Sequence, residues 1–191
     1  MAAMLKVVGE RGFHDTTIAS VIDVAGVSWP TFFFHFGDRS ACYLAASAAA
    51  EAEARATVLG VCGGEHDWIS KLRAGLATIL DYLDRDHVVA RALIVEARAA
   101  GTMATARLDR LLKTSAAFID TAWLEPESLA PPTHVTAMGV AGGIFSVLHH
   151  RLAIRADGAL RDLLPELIHV AVRPYFGVQA ATKAEAEISR H

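Results

Sequence analysis

From Thr17 to Arg39 the chain reads TIASVIDVAGVSWPTFFFHFGDR, and this stretch gathers side chains that can grip a polyanion. Thr17 and Thr31 carry short hydroxyls, His35 an imidazole and Arg39 a guanidinium, all able to hydrogen-bond phosphate oxygens. Backbone N–H groups at helix starts add anion contacts that need no charged side chain. Elsewhere, the patterns that carry catalysis are missing. The sequence contains no HExxH, no GxSxG and no Walker loop. His149 and His150 are adjacent, so on a helix they point about 100° apart and do not chelate one ion as an i, i+4 pair would. Glycines at 60–64 and 139–143 follow no strand, so a helix break and a close helix contact explain them better than a phosphate loop. Asp81, Asp84 and Asp86 beside Arg85 read as a solvated helix end. The expectation is no enzyme, no cofactor and no metal site. A thiol switch at Cys42 or Cys62 is a further reading, weaker than two ordinary free thiols.

The elements that hold the phosphate-seeking groups can be read from their ends. Thr17 to Ala25 is one short helix, with Val21, Val24 and Ala25 as its inner face. Gly26 makes a tight turn, Ser28 caps the second helix, and Pro30 falls where a missing N–H costs nothing. Two helices crossing at such a turn form a helix-turn-helix, whose second helix fits a major groove. Phe32 and Phe36, four apart, share the face turned to the core.

These residues resemble the DNA-binding region of tetracycline-repressor (TetR) family regulators. The family pattern is close to ERGφxxTTφxxφAxxAGVSxxTφYxHFxxK, with φ apolar. Here stand Glu10-Arg11-Gly12-Phe13, Thr16-Thr17-Ile18, Ala25-Gly26-Val27-Ser28, Thr31-Phe32, His35-Phe36 and Arg39. The match covers the first quarter of the chain. The resemblance implies that Trp29, Pro30, Thr31 and Phe34 face bases, and that Thr17, Phe33, His35 and Arg39 face phosphates. It implies an all-α fold, with a three-helix DNA-binding module at 1–45, a helical ligand-binding and dimerisation body at 46–177, and a polar, frayed tail at 178–191. It implies a cytoplasmic transcriptional regulator, a repressor that binds a palindromic double-stranded operator as a homodimer. A small apolar inducer of unknown identity releases it by pivoting the helix that Asp38 caps. Family members start the first helix about two turns earlier, so the resemblance implies a shortened helix or a start upstream of Met1.

Three departures bear on the expected strength of DNA binding. Phe33 replaces a Tyr and loses its hydroxyl, Ala19 replaces a frequent Arg, and Ile22 replaces a small Ala, which implies a splayed crossing. Trp29, Pro30 and Phe34 have little hydrogen-bonding power, which leaves thymine methyls as their readout. The first 45 residues carry Lys6, Arg11 and Arg39 against Glu10, Asp15, Asp23 and Asp38, and the whole chain is −3. DNA affinity rests largely on neutralised phosphates. The expectation is weak or narrow recognition with Thr31 and His35 positioning the helix. The alternative is a dimeric ligand-binding protein whose reading head no longer engages DNA.

Beyond the head, period-3.6 stripes follow one another and no strand alternation occurs. Apolar content of 53% and mean hydropathy of +0.33 are high for a lone soluble chain, and the runs free of both charge and histidine, such as Val135 to Leu148 and Ser40 to Ala50, fall short of the roughly 18–20 residues of a membrane span. Helices are expected from Met1 to Arg11, Asp38 to Leu59, Trp68 to Leu83, Val88 to Ala99, Thr102 to Leu124, His134 to Ile154 and Asp162 to Phe176. Gly12 is expected to end the first as a left-handed cap, and Pro126, Pro131 and Pro132 mark a loop. Trp68, Leu72, Leu93, Met103, Phe118 and Trp123 can line a ligand cavity, with Glu96 or Arg107 as polar contacts. The resemblance places a two-fold four-helix interface on the last two long helices. Met138, Gly139, Gly143, Phe145 and Leu148 would supply one side, and Leu164, Leu167, Ile168, Ala171, Val172 and Tyr175 the other.

Overall fold

Short polar side chains start most of the helices, and they do so where the sequence marks them. The structure, a computed structural model, describes residues 1–129 and 133–188. Helix α1 is Ala2–Arg11 and α2 is Ile18–Ala25, the latter opened by Thr17, whose hydroxyl accepts from the Ser20 N–H while Ser20 Oγ accepts from the Thr17 N–H. Helix α3 is Trp29–His35, with Ser28 Oγ accepting from the Thr31 N–H and Pro30 in its first turn. Asp38 caps α4, Arg39–Cys62; Asp67 caps α5, Trp68–Asp84; and Asp86 caps α6, His87–Ile94. Then come α7, Thr102–Asp120, α8, His134–Ala153, and α9, Leu164–Ile188, with 3-10 turns at Glu96–Arg98, Thr121–Leu124 and Leu160–Leu163. Among the described residues the fold is all helix and turn. None of these helices is by itself long and apolar enough to cross a membrane.

Several details differ from the sequence reading. Gly12 has positive φ (87°) but an extended ψ (157°), so it turns the chain without a left-handed cap. The inner face of α2 is Val21 and Ile22, while Val24 and Ala25 are exposed. The α2–α3 bend of 104° lies within the ordinary range for the motif, about 90–120°. Ile22 therefore fills the core and does not splay the pair. As the expected end at Phe176 requires, helix α9 is broken at Gly177 (φ 80°, ψ 176°), but a second limb continues and turns back on the first. His169 Nδ1 lies 2.8 Å from Glu185 Oε2, and Arg73 pairs with Glu187 at 3.3 Å. Ala181 and Ala184 are buried. The expected frayed tail is thus a packed helix as far as Ile188, because Ala181 and Ala184 join the core and Glu185 and Glu187 find partners in His169 and Arg73. Pro131, Pro132 and residues 189–191 lie outside the described residues.

Two apolar clusters form the core. The N-terminal one packs Met4, Val7, Val8, Phe13, Val21, Phe32 and Tyr43 together with Ala92, Ala100 and Ala104 of the body. The larger one joins α5, α7, α8 and α9 around Leu80, Ile168, Val172 and Tyr175. Helix α4 runs unbroken through the expected boundary at residue 45. Gly9 seats α1 on α6 so closely that a Cβ there would fall 1.8 Å from the Val88 carbonyl oxygen.

Candidate nucleic-acid interface and its connections

Gly26 sets the geometry of the head. Its left-handed φ and ψ (65°, 34°) reverse the chain in three residues, and glycine alone occupies that region without strain. Phe32 anchors α3 to the core and is buried. Helical spacing places Pro30 and Phe34 opposite Phe32, with Trp29 and Phe33 on one flank and Thr31 and His35 on the other. Phe34 is 85% exposed, Phe33 51% and Trp29 49%, and the last two stack with centroids 6.0 Å apart. The outward side of α3 is therefore mostly aromatic. Ser28 Oγ and Thr31 Oγ1 are hydrogen-bonded to each other at 2.9 Å, which occupies one of their two hydroxyl protons.

The candidate phosphate contacts divide. Thr17 and His35 are exposed, as is Phe33. Arg39 is not a free cation: its Nη1 donates to the carbonyl oxygens of His14 and Thr16, and its guanidinium lies 4.4 Å from the Phe13 ring centroid. It braces the loop between α1 and α2. The spacing that resembles a phosphate contact also suits this brace, which is why the sequence did not separate them.

A polar joint missed in the sequence ties the head to the body. Arg91 on α6 donates through Nε to the Gly9 carbonyl at 3.3 Å, and through Nη1 to the Leu152 and Ala153 carbonyls at the end of α8. Glu96 accepts the Phe13 N–H at 3.0 Å and lies 3.8 Å from Arg91. Tyr43 on α4 donates its buried hydroxyl to the Ala92 carbonyl at 2.6 Å. Burial first, and then the Glu96 carboxylate, push the Tyr43 phenol well above its ordinary range. The one signal in the sequence was Arg91 set within the apolar run of a short helix. The three aspartates near it also do more than face solvent. Asp84 accepts the Leu160 and Arg161 N–H groups, Asp81 pairs with Arg161, and Asp86 caps α6.

The expected ligand cavity is not assembled among the described residues. Trp68 is buried, donates Nε1–H to the Phe118 carbonyl and stacks on that ring, while Leu72 sits in the same core. Met103 and Trp123 face outward, Arg107 pairs with Glu51 at 2.6 Å, and Glu96 belongs to the joint. Leu93 lines a cleft of about 180 Å³ between α4, α5 and α6 whose other walls are Glu53, Tyr82, Leu83, Arg85, Asp86, Val89 and Ala90.

The expected dimer residues also separate. Leu148, Leu164, Leu167, Ile168, Ala171, Val172 and Tyr175 are buried in the chain's own core and present nothing to a second copy. Met138 and Phe145 are half-buried, the latter under the Arg98 guanidinium. Gly139 and Gly143 do face outward. A Cβ at Gly139, Gly142 or Gly143 would meet nothing within 4 Å. Cys42 is buried and Cys62 half-buried, and desolvation raises both thiols, so neither has the thiolate character of a redox switch.

Residues 1–46 match the family model described as bacterial regulatory proteins, tetR family. No curated protein matches the chain by sequence. Solved structures match over nearly its full length. One is the transcriptional regulator FadR from Bacillus subtilis in complex with stearoyl-CoA, 14% identical over 90% of this chain and 95% of that one, with a TM-score of 0.75. A gamma-butyrolactone receptor, an ArpA-like protein, is 15% identical over 98% and 93%, with a TM-score of 0.75. A TetR-like transcriptional regulator from Rhodococcus sp. RHA1 is 19% identical over 91% of each chain, with a TM-score of 0.66. Residues 1–46 thus match the tetR-family model, and the chain has the fold of these solved structures.

Proposed function

We propose that this tetR-family regulator acts as a homodimeric repressor, binding a palindromic operator through α3 and leaving it when a small ligand enters beside α6. The observation that carries the reading is α3 itself, held at 104° to α2 with its aromatic side turned outward. Residues 1–45 would read and residues 46–177 would sense and pair. The exposed face of α8 supports pairing. Val135, Gly139, Gly143, Ser146 and His150 recur at gaps of four and three, and Val147 and Ile154 flank them. Each interior glycine costs a helix about 1 kcal/mol relative to alanine, and no neighbour within the chain requires them small. A second α8 approaching closely across a two-fold axis would require it. Two-fold symmetry then calls for half-sites roughly 34–36 Å apart.

The cleft between α4, α5 and α6 is the place for the ligand in this reading. Its apolar floor and its rim of Glu53, Tyr82 and Arg85 suit a compact apolar molecule with one polar end. At about 180 Å³ it is smaller than ordinary ligand sites of roughly 300–1,000 Å³, so occupancy requires α6 to move outward. Arg91, Glu96 and Tyr43 would carry that movement to α1 and α4 and so alter the separation of the two α3 helices. A coupling of about 1–3 kcal/mol suffices.

Selection from a pool of random duplexes tests the DNA reading. The expected result is enrichment of a palindrome. Its affinity should fall only gently with salt, with a log–log slope no steeper than about −4, because Lys6 and Arg11 are exposed in each head while Arg39 is held by backbone carbonyls. The second reading, a ligand-binding dimer with a disused head, is favoured by the acidic balance of the head and by the commitment of Arg39. Failure to enrich any sequence at low salt would establish it over the first.

A further inference from the structure

The side chains that ordinarily read base edges are absent from the reading head. Between Thr17 and Asp38 there is no Arg, Lys, Asn or Gln, the residues that pair bidentately with guanine or adenine. Ser28 and Thr31 hydrogen-bond to each other, which uses one of their two hydroxyl protons, and Ser20 is committed to the cap of α2. What α3 offers outward is Pro30, Phe34 and the stacked pair Trp29 and Phe33, with His35 alone as a polar ring on the far flank. The major groove has one apolar feature that varies with sequence, the C5-methyl of thymine.

Resting on the DNA reading above, we propose that this head selects its operator by thymine methyl groups packed against Phe34 and the Trp29–Phe33 pair, and not by hydrogen bonds to base edges. Such a readout needs no charge on α3, which fits the shortage of cations in the head. It also calls for the aromatic exposure seen: Phe34 is 85% exposed and meets the His35 ring edge to face. The rings make contact only when a methyl stands at the right step. Cytosine and the purines leave them against polar edges, so the operator is thymine-rich where α3 enters.

The test uses the duplex recovered from random selection, resynthesised with uracil in place of thymine, a change that removes only the methyl. Anisotropy titrations of the full chain should show about fourfold weaker binding for each contacted methyl lost, or more than about tenfold across two half-sites. Phe34→Ala should bind both duplexes weakly and alike, while His35→Ala should keep the preference for thymine. Phe34 is exposed enough that its loss leaves the fold intact, and circular dichroism of the variant verifies this. Equal binding of the thymine and uracil duplexes by the wild-type chain would overturn the inference and leave the DNA reading standing. Failure to enrich any duplex would overturn both. Concentration-dependent self-association in the absence of DNA that Phe34→Ala abolishes would reassign the aromatic face to a second copy and overturn it too.

Discussion

Helices α3 and α9 both carry dense apolar stripes, and the protein treats them in opposite ways. In α9, Leu164, Leu167, Ile168, Ala171, Val172 and Tyr175 are sealed inside the body, none more than 4% exposed. In α3 only Phe32 is sealed, and three neighbouring aromatic rings face out. Length accounts for part of the difference. The stripe-bearing first limb of α9 spans several turns between α5 and α8, so neighbours can cover it. Helix α3 has seven residues, pinned between the turn at Gly26 and an extended Phe36, and touches the core along one line. The lesson is that an apolar stripe is evidence of burial only when the helix is long enough to be enclosed. On a short helix at the rim, the same composition marks a surface that waits for a partner.

The contrast can be broken most strongly from inside α9. Ile168→Ala should lower stability by about 2–5 kcal/mol, read from chemical denaturation, because it opens a cavity in a sealed stripe. A cost near zero would mean that the stripe is not enclosed by its own chain. Next in size is the seat of the head on the body. Gly9→Ala drives a methyl into the Val88 carbonyl and should cost about 1–3 kcal/mol. Hydrogen exchange should rise first in α1 and α6. A wild-type profile in both helices would show that the close contact is not maintained.

On the reading helix the effects should move from stability to binding. Phe34→Ala should change stability by less than about 0.5 kcal/mol, as exposed positions do. Its duplex affinity should drop by about tenfold or more, equivalent to about 1.4 kcal/mol. The glycine face of α8 sharpens the contrast from a third side. Gly139→Leu with Gly143→Leu should leave a folded chain, since nothing within it crowds those positions, yet yield a monomer in sedimentation analysis. A dimer of unchanged affinity would move the interface elsewhere. The smallest effect concerns Asp84. Burial raises its carboxyl, but the Leu160 and Arg161 N–H groups and the His87 ring outweigh this and hold it below the usual range. Because the folded pKa is the lower one, the stabilisation is present above the ordinary carboxylate pKa and lost as pH falls through the folded value. Asp84→Asn should remove that acid dependence at a cost of about 1 kcal/mol at neutral pH.

Much of this was legible in the sequence. Ser28 and Asp38 announced helix starts because a cap is a local event between residues three apart. The turn at Gly26 and the anchor at Phe32 were legible for the same reason. Which side of a stripe faces which neighbour was not, since that depends on contacts distant in the chain. Leu164 to Tyr175 read as a dimer seam, and the structure made them core. Arg39 and Glu96 suited phosphate and ligand by type, yet they bond to backbone groups far away in sequence. The tail beyond Gly177 looked too polar to pack because its partners, His169 on the first limb of α9 and Arg73 on α5, are distant in the chain.

The most direct test is titration of the selected palindrome with wild-type protein and with Phe34→Ala at two salt concentrations. The account predicts tight, weakly salt-dependent binding by the wild type and a large loss in the variant, with both proteins equally stable. Equal affinity of the two proteins, or a steep salt slope carried by cations elsewhere, would contradict the claim that the exposed aromatic side of α3 reads DNA.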